Sequence, residues 1–372
     1  MQKPKLIWLN VAVFVFSALI TLIVVPAYAL WRGFDFWQIG LMFIGIVVCE
    51  ISITAGYHRL WSHRSYEAHW LARTLLMLGG TFAAQNSILH WASDHRRHHR
   101  HVDDVDKDPY SAKLGFWHSH IGWMIRNYNT AEDADYNNCR DLKKDPIVMW
   151  QHNHYLPLVL IINFGIPILF GVLHGDILGM MLLLGFARLF ISHHFTFFIN
   201  SLAHIWGKQP YSDQNTSKDN ALLAVLTMGE GYHNYHHCFQ RDYRNGIRWW
   251  HFDPTKWLIR SFAWLGLAKN LYRTPVEKIE SSRAEMLLRQ TAQKISHLPH
   301  ADELLARLHN EYDSLMVKVN AFSAARVQWL EAKRMAVKDG YDLKALYHKV
   351  EMLKLSFLEQ KRAWLMLNQR LV

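Results

Sequence analysis

The chain has 372 residues, of which 51% are hydrophobic, and it carries a formal net charge of +10. This length is sufficient for one substantial domain and an appendage. Cys49, Cys139 and Cys238 lie far apart and form no CxxC motif, which argues against a disulfide framework and against a built-in rubredoxin or iron–sulfur centre. We interpret the positive charge as membrane topology and attraction to anionic lipid, or as recognition of a phosphate-bearing substrate, and expect no nucleic-acid partner.

Four hydrophobic segments are long enough to cross a bilayer. They cover residues 7–30, 36–57, 155–173 and 177–200. At a rise of 1.5 Å per residue, about 20 residues cross a hydrocarbon core of roughly 30 Å. The sequence therefore predicts four transmembrane helices in two hairpins. A weaker segment at about 70–90 contains Arg73 and several polar residues, and we predict an interfacial helix there.

The connecting segment at 59–154 is rich in Arg and Lys, which sets the predicted orientation. The positive-inside rule places this segment, both termini and everything after Asn200 in the cytosol. The first hydrophobic segment is predicted to be a retained span, because it lacks a small-residue cleavage site. Glu50 and Arg188 are the only charges within the predicted spans. Because intramembrane charges are costly, we expect these two side chains to form an ion pair.

Nine of the 24 histidines fall into four sets with the spacing of metal ligands. The sets are His58 and His63; His95, His98 and His99; His204; and His233, His236 and His237. Residues at i, i+3 and i+4 share a helix face, so each HxxHH box is predicted to aim three imidazoles at a single point. Asn200 and His204 form a similar i, i+4 pair. His58 and His63 are five residues apart, so we expect the helix to loosen between them, or each to serve a different metal.

These nitrogens are too many for one tetrahedral zinc, and two metals are the simpler interpretation. The predicted topology brings all four sets to the cytosolic face of the membrane. This position favours a lipid-like substrate whose acyl chain enters the protein while its polar head stays in a cytosolic cap. His193 and His194 lie inside a predicted span, and we assign them a packing or supporting role.

Six motifs occur along the chain in a fixed order. They are GYHRLWSHRSY, QNSILHWASDHRRHH, DKDPY followed by GFWHSHIGWM, NSLAH, GEGYHNYHH and DPTKWLIRSFAWLGLA. Together they resemble the membrane fatty acyl-CoA desaturases of the stearoyl-CoA Δ9 type, from the first span to about residue 275. The resemblance implies an all-α integral membrane protein with four transmembrane helices, a cytosolic histidine-rich helical cap and a core domain at 1–275.

The resemblance also implies a di-iron centre with two Fe²⁺ ions. Its ligands would be His58, His63, His95, His98, His99, His204, His233, His236 and His237, with Asn200 bound through water. Family members bend the acyl chain with residues that match Gln85, Trp91 and Thr196 here. From the residues alone, we would assign Trp91 to packing and Gln85 to the membrane interface.

By the same resemblance, the reaction is O2-dependent removal of two hydrogens from a long-chain acyl-CoA, giving a Δ9 cis double bond. The chain lacks the HPGG segment of a fused cytochrome b5, so the expected electron donor is a separate ferredoxin, rubredoxin or flavoprotein reductase. The short N-terminus and the lack of an organelle signal favour a bacterial form in the inner membrane.

Three alternatives stay open. The acyl chain could be carried by a phospholipid, since a basic cap fits either carrier. The same di-iron class includes fatty acid and alkane hydroxylases, although the residues around the histidines match the desaturases. A membrane metal transporter is the non-enzymatic alternative, and it is disfavoured because its ligands would lie near the bilayer midplane.

Residues 276–372 are rich in charged and helix-forming side chains. The spacing of Leu and Met predicts two or three amphipathic helices, interrupted near Pro299 and at Gly340. We interpret this region as a cytosolic helical extension. Docking on the cap, oligomerisation and binding of the electron donor are all open roles for it.

Overall fold

The computed structural model describes residues 4–128, 135–339 and 343–371. This part of the chain is mainly helical, and its strands are β1, Glu67–Ala68, and β2, Ala268–Lys269, which pair antiparallel. The chain forms two compact units. The first comprises Met1–Lys208 and Gln214–Arg273, and the second comprises Gln209–Asp213 and Thr274–Val372. The domain division predicted at residue 275 stays a prediction.

Four helices are long and apolar enough to cross a membrane. We call them spans 1 to 4, and they are Trp8–Trp31, Phe36–Ser62, Tyr155–His174 and Ile177–Ile205. They confirm the predicted all-α membrane fold with four transmembrane helices. Spans 1, 2 and 4 each contain a π-helical segment, at Ile20–Val24, Ser52–Ser62 and Met181–Ala187.

Two aspartates cap spans 2 and 4 at the end opposite the nine candidate ligand histidines. Asp35 caps span 2 by accepting hydrogen bonds from the N–H groups of Trp37 and Gln38. Asp176 caps span 4 through the N–H of Gly179 and also accepts from Gln38 Nε2, at 2.9 Å. Each cap satisfies N–H groups that a helix leaves without partners at its start. Asp176 also links the two hairpins.

The remaining helices of the first unit are short. The α-helices are Trp70–Phe82, Ile88–His101, Trp123–Ile125, Pro146–Asn153, Ala221–Leu226, His233–Cys238 and Pro254–Trp264. The 3-10 helices are Ala112–Leu114, Asn137–Cys139 and Leu142–Lys144, and His118–Gly122 is π-helical.

The length predicted for the helix at 70–90 was wrong. It ends at Phe82, and a new helix begins at Ile88. Ala84 and Asn86 between them have φ values of 51° and 75°, in a region that a right-handed helix cannot use. Helix 70–82 packs directly on span 2, since a Cβ on Gly80 would lie 2.2 Å from the Tyr57 ring.

The predicted ion pair between Glu50 and Arg188 was also wrong. Both side chains are fully buried, but Arg188 donates to Phe82 O at 2.6 Å and to Asn163 Oδ1 at 2.8 Å. Glu50 instead accepts from Thr196 Oγ1, at 3.3 Å. The guanidinium is satisfied by a carbonyl at the C-terminal end of helix 70–82, where the helix dipole favours a cation.

The second unit is a helical bundle. Its helices are Val276–Ile295, Ala301–Asp339 and Leu343–Leu371, in agreement with the predicted break near Pro299; Gly340 lies outside the described residues. Phe322 stacks on Phe357, and Tyr312 contacts Trp364, so the last two helices run antiparallel. The segment Gln209–Asp213 packs on the first of these helices, where Asp213 pairs with Arg289 at 2.9 Å.

Candidate metal centre

The nine histidines predicted as ligands converge in two groups. A five-histidine group contains His58, His63, His95, His99 and His236, and a four-histidine group contains His98, His204, His233 and His237. Within each group, the ligand nitrogens all lie within 4.8 Å of one another. Eight of the nine residues are buried, and His99 is half-buried.

The spacing of the nitrogens fits one shared cation in each group. In the five-histidine group, Nε2 of His63 lies 2.8 Å from Nε2 of His95. In the four-histidine group, Nε2 of His233 lies 3.1 Å from Nε2 of His204 and 3.0 Å from Nε2 of His237. Two nitrogens bonded at right angles to one ion at about 2.1 Å are about 3.0 Å apart.

Six of these histidines are held in the neutral form that binds metal. Burial, and then repulsion from neighbouring imidazoles, lowers the pKa well below its usual value for six of them outside the spans: His63, His95, His99, His233, His236 and His237. A neutral imidazole keeps one ring nitrogen free as a lone-pair donor, so the environment favours coordination of a cation.

The predicted convergence of each HxxHH box on a single point was wrong. His95 and His99 belong to the five-histidine group, whereas His98 belongs to the four-histidine group. The second box divides in the opposite way, because His233 and His237 point into the four-histidine group and His236 into the other. Each residue of an α-helix is rotated by 100° from the one before it, so the side chains at i+3 and i+4 lie on opposite sides of the side chain at i. The side chains at i and i+4 therefore reach one group, and the side chain at i+3 reaches the other.

The His58 and His63 pair shows the predicted loosening of the helix. His58 lies within the π-helical segment Ser52–Ser62 and His63 directly follows it, and the N–H of His63 donates to the carbonyl of His58 at 3.1 Å. A π-helix repeats its hydrogen bonds every five residues. The two rings therefore lie on one side of span 2 and reach the same group.

The two groups are direct neighbours. The His99 ring of the five-histidine group stacks on the His237 ring of the four-histidine group, with centroids 4.3 Å apart and an interplanar angle of 22°. Each HxxHH box also contributes to both groups. The arrangement is therefore a candidate site for two adjacent metal ions.

A second layer of residues orients the ligands of the four-histidine group. His98 Nδ1 lies 2.8 Å from Asp108 Oδ1. His204 Nδ1 lies 2.9 Å from Thr216 Oγ1, which in turn donates to Asp103 Oδ1 at 2.7 Å. An acceptor at Nδ1 keeps the proton on that nitrogen and leaves Nε2 free for the metal.

The five-histidine group is backed by a buried ion-pair network. Glu230 Oε2 lies 3.0 Å from His58 Nδ1, without the alignment of a hydrogen bond. Arg59 donates to Glu230 at 2.9 Å and pairs with Asp253 at 3.0 Å. Burial raises the pKa of Glu230, but the attraction of His58 and Arg59 outweighs it, and the pKa is lowered overall. Glu230 is therefore an anion beside the metal centre.

Sequence reasoning did not identify these supporting residues. Asp108 and Glu230 lie within the motifs DKDPY and GEGYHNYHH, so an acidic residue near a histidine box was an available signal. Asp103 and Thr216 carry no such signal, because they are 113 residues apart in the chain.

One of the predicted substrate residues contacts a candidate ligand, and the other two contact each other. Trp91 stacks on the His95 ring, with centroids 4.8 Å apart. Gln85 Nε2 donates to Thr196 Oγ1 at 2.8 Å. Asn200 is the last residue of its helix and is half-buried. Their roles stay predictions.

His193 and His194 lie outside both groups, in agreement with their predicted packing role. His193 Nε2 contacts Ala83 O at 2.9 Å, and His194 Nδ1 contacts His120 Nε2 at 2.9 Å.

The fatty acid desaturase family model matches residues 37–267. This region contains all nine histidines and most of spans 2 to 4. The chain belongs to the fatty acid desaturase family. Membership agrees with the resemblance found in the motifs and with the multi-pass membrane fold.

Individual members of the family are also similar to this chain. The probable acyl-CoA desaturase of Schizosaccharomyces pombe is 47% identical over 231 residues, which is 62% of this chain and 48% of that protein. Acyl-CoA desaturase 1 of Saccharomyces cerevisiae is 44% identical over 247 residues, or 66% of this chain and 47% of that protein. This chain thus spans about half the length of the two fungal relatives.

Human stearoyl-CoA desaturase 5 is 34% identical over 294 residues, or 76% of this chain and 86% of that protein. These three relatives of the fatty acid desaturase family are eukaryotic. The predicted bacterial form is therefore not confirmed.

Proposed function

We propose that the protein is an acyl-CoA desaturase that introduces a cis double bond, at the Δ9 position, into a long acyl chain. The overall change converts CH2–CH2 to CH=CH, and the two hydrogens removed, O2, two electrons and two protons give two molecules of water. The observation that carries this proposal is the pair of adjacent histidine groups in a chain of the fatty acid desaturase family.

We infer that the metal is iron, because imidazole nitrogens bind iron and the chain belongs to the fatty acid desaturase family. When bound, two iron ions would supply the reduction of O2 to an oxidant able to attack an unactivated C–H bond. The nine histidines would hold them, with Asn200 contributing through water. Asp108, Glu230 and Thr216 would fix the orientation of three of the ligand rings.

The acyl chain would pass beside the centre, where Gln85, Trp91 and Thr196 position it. The hydrogen bond from Gln85 to Thr196 of span 4 and the stack of Trp91 on His95 support this assignment, because the first joins two of these residues and the second places the third against a candidate ligand. The polar carrier would stay in the histidine-rich cap, which we infer to be cytosolic together with both termini. Electrons would come from a separate donor protein.

Lipid analysis of cells that express the chain tests this function. We expect a monounsaturated acyl product from the wild type and none from His98→Ala, whose iron content should also fall. His297→Ala removes a histidine of the helical bundle and serves as the matched control, with the product retained.

A hydroxylated acyl product would overturn the desaturase assignment in favour of a hydroxylase. Unsaturation confined to phospholipid-bound chains, with purified acyl-CoA left unreacted, would replace the proposed carrier. Metal uptake without any change in lipids would favour a transporter.

A further inference from the structure

A row of aromatic rings leads from the protein surface to Tyr232, the residue before His233 of the four-histidine group. Trp249 and Trp250 are 81% and 57% exposed, and their ring centroids are 5.6 Å apart. The Trp250 and His251 centroids are 6.1 Å apart. His251 stacks on Tyr232 at 4.5 Å with an interplanar angle of 10°, and Tyr232 immediately precedes the ligand His233.

The local backbone holds this row in place. A Cβ on Gly246 would lie 2.8 Å from Cβ of His251 and 2.9 Å from the Tyr232 ring, so a glycine is needed where the chain crosses the stack. Lys256 Nζ donates to Gly246 O at 2.6 Å and to His251 O at 3.2 Å. Tyr232 forms an antiparallel bridge with Asp219. Contacts to the backbones of both His251 and Tyr232 thus hold the two stacked rings in place.

The exposed charges of the segment that carries the two tryptophans are all positive. Within residues 241–260, the exposed charged side chains are Arg241, Arg248 and Arg260. The two carboxylates of this stretch are buried, and Asp242 and Asp253 pair with Arg244 and Arg59. Arg248 also lies over the Trp250 ring, with its Cζ 5.2 Å from the centroid. An exposed arginine beside two exposed tryptophans fits a partner that presents an acidic patch.

We propose that Trp249, Trp250 and Arg248 form the docking surface for an acidic one-electron carrier protein, and that electrons pass through His251 and Tyr232 to the four-histidine group. This inference rests on the proposed function, which needs two electrons from outside for each double bond. The carrier is oxidised once for each electron transferred, so two docking events supply one turnover. The rings are the medium for tunnelling and are not themselves oxidised or reduced.

A lipid-facing anchor would also use exposed tryptophans, but it would not require the stacked His251 and Tyr232 rings behind them. The stack of His251 on Tyr232, which is bonded through the backbone to His233, favours the electron carrier. Tunnelling falls steeply with distance, and each ring shortens a step between the surface and the centre.

Single-turnover electron transfer tests the proposal. The full-length, iron-loaded protein is mixed without O2 with a reduced, acidic [2Fe–2S] ferredoxin, and oxidation of the ferredoxin is followed by stopped-flow absorbance. Arg248→Glu should lower the second-order rate about tenfold at low salt, because clustered charge raises association rates by roughly 10 to 1,000-fold. Trp250→Leu should lower the limiting rate at saturating ferredoxin, and Trp250→Phe should restore most of it.

Trp264→Leu is the matched control, because Trp264 is 87% exposed in the same unit and outside the ring row. We expect it to transfer electrons at the wild-type rate. Iron content and reduction by dithionite should be unchanged in every variant. Binding of oxidised ferredoxin to the iron-free protein, measured by thermophoresis, should weaken in Arg248→Glu and Trp250→Leu and stay at the wild-type level in Trp264→Leu.

Wild-type rates in both Arg248→Glu and Trp250→Leu would overturn the proposal. An equal loss in Trp264→Leu would also overturn it, because exposed tryptophans would then act through the detergent or membrane. Ferredoxin oxidation does not depend on the acyl product, so failure of the proposed function would appear separately, as the absence of unsaturated lipid from the wild type with any reductant.

Discussion

Each candidate ligand histidine has two ring nitrogens, and the partner of Nδ1 decides whether Nε2 is left free for a metal. Asp108 does this for His98, and Thr216 with Asp103 does it for His204. Such outer partners contribute to metal affinity although they never touch the ion. The residues behind the ligands are therefore as informative for mutagenesis as the ligands themselves.

Asp108→Asn should weaken iron binding about 10 to 100-fold, because the amide no longer anchors the His98 ring with a charge. The measurement is iron retained during titration with a chelator. Asp106→Asn changes an exposed carboxylate two residues away and should leave retention at the wild-type level. Equal retention in Asp108→Asn and the wild type would contradict the assigned role.

Glu230→Gln should destabilise the protein by about 3–5 kcal/mol, because Arg59 would be left as a buried charge with one partner fewer. Arg59 and Glu230 are both almost fully buried. The free energy of unfolding in denaturant is the quantity to measure. Glu67→Gln, at an exposed pair with Lys269, provides the comparison and should be nearly neutral. A neutral effect at Glu230 would show that the network does not hold the centre together.

At the scale of elements, the centre depends on segments that approach one another unusually closely. The second HxxHH box lies on a helix of only six residues, His233–Cys238. Such a short helix is positioned by its surroundings, including the bond from Tyr235 N to Asp219 Oδ1 and that from Asn234 Nδ2 to Ser217 O. The loop before it is therefore part of the metal site.

Gly231→Ala should disrupt this approach. A Cβ on Gly231 would lie 2.1 Å from the backbone N of Ala224 and 2.6 Å from Asn220 O, so backbone atoms must move. We expect a lower melting temperature and loss of iron. Gly40→Ala, where a Cβ would meet nothing within 4 Å, should match the wild type. If both variants behave alike, the close approach is not what places the box.

At the scale of the whole molecule, the chain combines a membrane unit that carries all nine ligands with a helical bundle that has its own core. The bundle core contains Leu308, Leu315, Phe322, Phe357 and Trp364. Residues 209–213 belong to the bundle, although they lie between His204 and Thr216 in the sequence. The loop that supports a ligand is thus continuous with a segment held by the bundle.

Phe357→Ala should destabilise the bundle by about 3–5 kcal/mol, since it removes a buried aromatic side chain that stacks on Phe322. Proteolysis under native conditions should then cut the bundle faster. Leu355→Ala, at a position that is 55% exposed, should be cut at the wild-type rate. Protection of Phe357→Ala equal to that of the control would contradict the assigned core.

The sequence was informative wherever a property repeats locally. Uncharged runs of spanning length predicted the four spans, and the spacing of His95, His98 and His99 identified ligands, because both patterns arise within a few helical turns. Reasoning from local patterns failed where contacts between distant segments determine which side chains pair. Glu50 and Arg188 did not pair, because helix 70–82 supplied Arg188 with a carbonyl at Phe82.

The sequence by itself therefore determined the membrane class, the nine candidate ligands and the family. Hydrophobic runs and histidine spacing are properties of residues that are close together in the chain. Only the tertiary structure decided how the candidate ligands divide into groups of five and four, which residues contact their Nδ1 atoms, and which rings stack between Tyr232 and the surface. These features join residues far apart in the chain, and their distances follow from packing, not from spacing along the sequence.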